Sequence, residues 1–86
     1  MPKVVEGGNT SGMLRDELAA IANGHREGTR ERLLTVSGWL LEGLGEKLSV
    51  GAKEGLRQRL AAAEQWDTPR RMADAMIAAI DIARAV

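Results

Sequence analysis

Residues 66 to 86 run Trp66-Asp67-Thr68-Pro69-Arg70-Arg71-Met72-Ala73-Asp74-Ala75-Met76-Ile77-Ala78-Ala79-Ile80-Asp81-Ile82-Ala83-Arg84-Ala85-Val86, and this stretch decides the fold. Thr68 is a good helix cap, and Pro69 fits the first helical position, where a missing amide costs no hydrogen bond. From there Met72, Ala75, Met76, Ala79, Ile80 and Ala83 recur every three or four residues, with Arg70, Asp74, Asp81 and Arg84 opposite. That spacing predicts an amphipathic helix over about 69–85.

Three more helices are expected upstream. Ser49 can cap one over about 50–65, whose large apolar residues are few: Leu56, Leu60 and then Trp66, among Ala52, Ala62 and Ala63. Another, over about 29–44, starts near Gly28 or Thr29 and places Glu31 in its first turn. Its stripe of Leu33, Val36, Leu40, Leu44 and Leu48, widened by Leu34 and Leu41, is expected to supply most of the core. Gly38, Gly43 and Gly45 each cost about 0.5–1 kcal/mol against alanine inside a helix. They imply fraying near Gly43 or a close helix approach, and close packing is the expectation at Gly38. The first helix, about 12–23, carries Leu14, Leu18, Ile21 and Ala22, with Ser11 as a cap and Asp16 and Glu17 in its first turns. Asn23-Gly24 signals a stop, although a continuous helix would put His25 on the Leu14, Leu18 and Ile21 face. Residues 1–10 hold Pro2, Gly7, Gly8 and Asn9 without apolar spacing, and read as a flexible N-terminal tail before a single helical domain over 11–86. No stretch alternates as a strand would. The fold class is all-α: a small bundle of about four helices.

Composition makes that bundle lean. Of 86 residues, 44% count as hydrophobic, but thirteen of these are alanine and none is Phe, Tyr or Cys. A chain of this size exposes roughly 5,000 Å² of the roughly 13,500 Å² shown by its extended form. A domain near this length draws only about 3–5 kcal/mol from one core, so self-association as a homodimer is expected. Twelve cations balance twelve anions, with the signs interspersed, which disfavours a general polyanion-binding surface. Without cysteine there is no disulfide, thiol nucleophile or thiolate metal site. The start Met1-Pro2-Lys3-Val4-Val5 has no apolar run of signal-peptide length, and the longest runs, such as Met76 to Ile80, are far too short to cross a membrane. A cytoplasmic setting is expected.

Several residues stand out against this background. Trp39 falls roughly 100° around its helix from the leucine stripe, beside Arg32, Thr35, Glu42, Gly43 and Glu46, and points away from the main core. Tryptophan is the type most enriched at interface hot spots, so Trp39 with Arg32 and Glu42 is read as a partner-binding anchor. The competing reading is a Trp folded over Gly43 or covered by the first helix, with Arg32 stacked on it. Ile77 sits in the polar arc of the last helix, and Arg70, Asp74, Ile77, Asp81 and Arg84 step by four, three, four and three like a contact seam. Symmetric pairing there would set like charges together, and local Arg70–Asp74 and Asp81–Arg84 pairs would make it a solvated face. Arg70 and Arg71 stand at a helix start, where cations are unfavourable. Either an anion or a nucleic-acid backbone held there accounts for them, or they reach solvent or pair with Glu64, Asp67 or Asp74. Gly51, Gly55, Ala62 and Trp66, with Arg59 among them, form a small-residue groove expected to mark tight intramolecular packing.

Catalytic equipment is sparse. His25 is the only histidine, beside a turn, and one imidazole is neither a catalytic pair nor a metal site. No HExxH, phosphate loop or serine elbow occurs, and a domain this shallow cannot bury two carboxylates to split their pKa values. No cofactor is expected. The leading expectation is a non-catalytic protein-interaction module, a regulatory adaptor or inhibitor of a larger macromolecule, with Trp39, Arg32, Glu42 and Ile77 as its contacts. The alternative is a helix-turn-helix DNA-binding regulator that presents Arg70 and Arg71, against which count the zero net charge and a turn lacking glycine. A subunit of larger ring- or shell-like assemblies is a third.

Overall fold

The computed structural model describes residues 11–85, which form four helices and no strand. They are α1 (Ser11–Ala22), α2 (Arg30–Gly45), α3 (Val50–Ala63) and α4 (Pro69–Ala85). The tail expected over 1–10 lies outside the described residues, as does the capping side chain of Ser11. The four expected helices and their boundaries are otherwise present to within two residues.

Four of these boundaries have a local cause in capping contacts. The backbone of Gly24 takes φ +78°, the left-handed region that glycine enters without a Cβ penalty. Around it His25 N–H donates to the Ala20 carbonyl (2.8 Å) and Gly24 N–H to the Ile21 carbonyl (3.1 Å), the paired bonds of a Schellman C-cap. α1 and α2 are therefore separate, and His25 is exposed in the turn. Thr29, Ser49 and Thr68 open the next three helices, each side-chain oxygen accepting the amide of the residue three ahead: Arg32 (3.1 Å), Ala52 (3.2 Å) and Arg71 (3.2 Å).

The core is organised around α4, which packs against all three other helices and most extensively against α1 and α3. It contributes Met72, Ala73, Met76, Ala79, Ile80 and Ala83; α1 gives Leu14, Leu18 and Ile21, α2 gives Leu33, Val36 and Leu40, and α3 gives Leu56, Leu60 and Ala63. This corrects the expectation that the second helix supplies most of the core. Leu34 faces outward at 42% exposure, and Leu41, Leu44 and Leu48 are half-buried at the edge. A helix enclosed from three sides also buries a wider arc than one apolar stripe suggests. Hence Ala73 is sealed, and Ile77, four residues on, is half-buried against the core instead of lying within a solvated polar arc.

The glycines and the α3 groove also differ from expectation. Gly38 is exposed, and a Cβ there or at Gly43 would meet nothing within 4 Å, so neither marks a close helix approach. Gly45 is buried, with the Lys53 side chain against it. Gly51 likewise opens on free space and Gly55 is overlaid only by its neighbour Arg59, so this groove is open to solvent where tight packing was expected. The spacing that aligned Trp66 with Leu56 and Leu60 fails because α3 ends at Ala63, leaving Trp66 in the following turn at 45% exposure.

A candidate interaction surface

The expected anchor, Trp39, is half-buried and packed against the core. The guanidinium of Arg32 lies 5.0 Å from its ring centroid, within cation–π range. That same guanidinium donates from Nε and Nη2 to the two carboxylate oxygens of Glu17 on α1, both at 2.8 Å. Bidentate geometry makes this a directional tie between α1 and α2. The Glu17 carboxyl is held below its ordinary range by these hydrogen bonds, and the charges of Arg32 and Arg26 assist against the cost of its burial. The indole does not fold over Gly43, where a Cβ would find open space. Glu42 is exposed one turn beyond Trp39, and Ile77 lies on α4 against the core. Trp39 and Arg32 are thus brought together with a carboxylate from within the chain, a partner that periodicity within one helix could not reveal.

The polar arc of α4 is wired differently from the expected local pairs. Asp81 accepts from Arg15 on α1, through Nε and Nη2 at 3.0 Å each, and this bond, aided by the charges of Arg15 and Arg84, lowers its pKa. Arg70 forms no ion pair with Asp74; its guanidinium instead lies over the backbone of Gly24, about 3.3 Å from where a Cβ would stand. Arg71 stacks on Trp66, 5.6 Å from the ring centroid. Among the described residues neither Arg70 nor Arg71 has a carboxylate partner.

These two arginines and Trp66 border an open groove of about 780 Å³, lined also by Ala22 of α1 and by Thr68, Asp74, Ala75 and Ala78. A smaller hollow of about 490 Å³ continues past Thr68 and Arg70 to Arg26, Glu27 and Gly28 of the α1–α2 turn. The turn that carries Trp66 is pinned from α2. Arg30 donates Nη1 to the Glu64 carbonyl (2.7 Å) and Nη2 to the Trp66 carbonyl (2.6 Å), satisfying the C-cap carbonyl that the end of α3 leaves free and a carbonyl of the turn beyond it. Beside it the buried Ser37 hydroxyl donates to Glu64 Oε2 at 2.9 Å. Neither contact had a sequence signal, because both join residues 27 or more positions apart. Sequence reasoning selected Arg70 and Arg71 but missed Trp66 as their companion.

No three His, Asp or Glu side chains among the described residues gather as metal ligands, and no described helix is long and apolar enough to cross a membrane. No protein-family model, curated protein or solved structure matches the chain.

Proposed function

We propose that the chain is a small non-catalytic protein-interaction module, a cytoplasmic regulatory adaptor or inhibitor that occupies a surface on a larger macromolecule through the Trp66, Arg70 and Arg71 face. One observation carries this. An exposed indole, stacked by a cation, stands on a turn held by two hydrogen bonds from Arg30 and borders an open groove. Tryptophan and arginine are the residue types that dominate interface hot spots, and a held side chain loses less entropy on binding. In this role Trp39, Arg32 and Ile77 serve the fold, and Glu42 lies outside the contact. Homodimerisation is part of the proposal, supported by the exposure of Val50, Ile82 and Leu34. The test is capture of partners by the tagged chain and by Trp66→Ala and Trp39→Phe variants, with light scattering and circular dichroism on each. The specific partner is lost with Trp66→Ala and kept with Trp39→Phe. Retention of the partner by a folded Trp66→Ala chain contradicts the assignment.

A helix-turn-helix has one observation in its favour: α3, a five-residue turn and α4 succeed each other, with Arg70 and Arg71 in the capped first turn of α4. Gel-shift titration at two salt concentrations tests it, because phosphate contacts weaken steeply with salt.

A further inference from the structure

We infer that the Trp66 groove accepts an acidic peptide segment of another protein, one that places two or more spaced carboxylates around an apolar side chain. The inference rests on the groove being the contact face proposed above and adds the chemistry of what fills it.

The arginines themselves show the demand for carboxylate. Arg15, Arg32 and Arg57 already hold Asp81, Glu17 and Glu54, and Arg30 holds two carbonyls. Of the remaining arginines, Arg26, Arg59, Arg70 and Arg71 make no carboxylate ion pair among the described residues, and Arg70 and Arg71 are the two of these that line the groove. Both are placed: one rests over Gly24 and the other over the Trp66 ring. A guanidinium so oriented offers a fork of donors that matches a carboxylate. Ala22, Ala75 and Ala78 line the same groove with the indole and give it apolar surface, with room for a hydrocarbon side chain.

Charge distribution separates a peptide from a nucleic acid. Around the groove and its continuation stand three arginines, Arg26, Arg70 and Arg71, and two carboxylates, Glu27 and Asp74. A continuous phosphate backbone would be carried past both carboxylates and repelled there. A peptide with spaced acids can turn neutral residues toward them.

Panning a displayed library of short random peptides on the full chain tests this, with the folded double variant Arg70→Gln/Arg71→Gln and the variant Trp66→Ala as counter-targets. A mixed-sequence DNA duplex is titrated in parallel. The expected result is enrichment of sequences carrying Asp or Glu on both sides of a Leu, Ile or Phe. Their binding weakens about tenfold or more in the double variant and is lost in Trp66→Ala. Peptides that need Trp66 but show no acidic bias, or bind the double variant equally, overturn the acidic partner while leaving the contact face standing. No enrichment, or enriched peptides indifferent to Trp66→Ala, overturns both. Two further outcomes also overturn the peptide assignment: salt-dependent duplex binding tighter than any peptide, and a dimer that Trp66→Ala dissolves.

Discussion

At the scale of single residues, two tryptophans in similar company are held differently. Both carry an arginine over the ring, yet Arg32 is also clamped by Glu17 whereas Arg71 has no carboxylate partner among the described residues. Trp39→Ala should therefore act on stability, costing about 2 kcal/mol, less than the roughly 3–5 kcal/mol typical of fully buried tryptophan. Urea denaturation checks this; a loss below about 0.5 kcal/mol would place the ring outside the core's energetics. Glu17 gives a pH signature. Its carboxyl is depressed from an ordinary value of 4.5, so the folded chain binds fewer protons there than the unfolded chain does. The stability it contributes is full above pH 4.5 and is lost as pH falls through the depressed folded value. Wild type should exceed Glu17→Gln by on the order of 1 kcal/mol at pH 7, a figure kept small because Arg32 is partly solvated. That gap should close in acid, and one constant down to pH 3 would contradict the linkage.

Among the elements, glycines separate what the backbone requires from what it tolerates. Gly24 needs its left-handed conformation to end α1 and lies beneath Arg70, so Gly24→Ala should destabilise by about 1–2 kcal/mol. Gly38 sits inside α2 with open space around a would-be Cβ, so Gly38→Ala should stabilise by about 0.5–1 kcal/mol. Thermal unfolding of the pair checks both signs, and the same sign for both would contradict the assignment. The boundaries were legible because Thr29, Ser49, Thr68-Pro69 and Asn23-Gly24 act through bonds within three to five residues. What was not legible depended on neighbours distant in sequence. The end of α3 at Ala63 put Trp66 in a turn, and only the fold shows Arg30 beneath it. Replacing Arg30 by methionine, which keeps the stem and removes the donors, should speed amide exchange over 64–68 and leave α1 exchange unchanged; equal exchange at 64–68 would show that the turn holds without it.

For the molecule as a whole, α4 carries two jobs on one helix. Its Met72, Met76 and Ile80 side are sealed in the core, while its first turn, with the turns after α1 and α3, builds the open groove. All-α architecture follows from 3.6-residue spacing, but which helix lies at the centre does not, since Leu33, Val36 and Leu40 of α2 look as core-forming as the alanines of α4. The candidate surface was half legible: Arg70 and Arg71 break the helix-dipole preference locally, whereas Trp66 reaches the groove only through the fold. The most direct test is amide chemical-shift mapping of the labelled chain on addition of the partner it captures. Perturbations concentrated on Ala22, Gly24, Trp66, Arg70, Arg71 and Ala78 are the predicted result. Perturbations centred on Trp39 and Arg32, or on Gly51, Gly55 and Ile82, would show that the chain works through a different face.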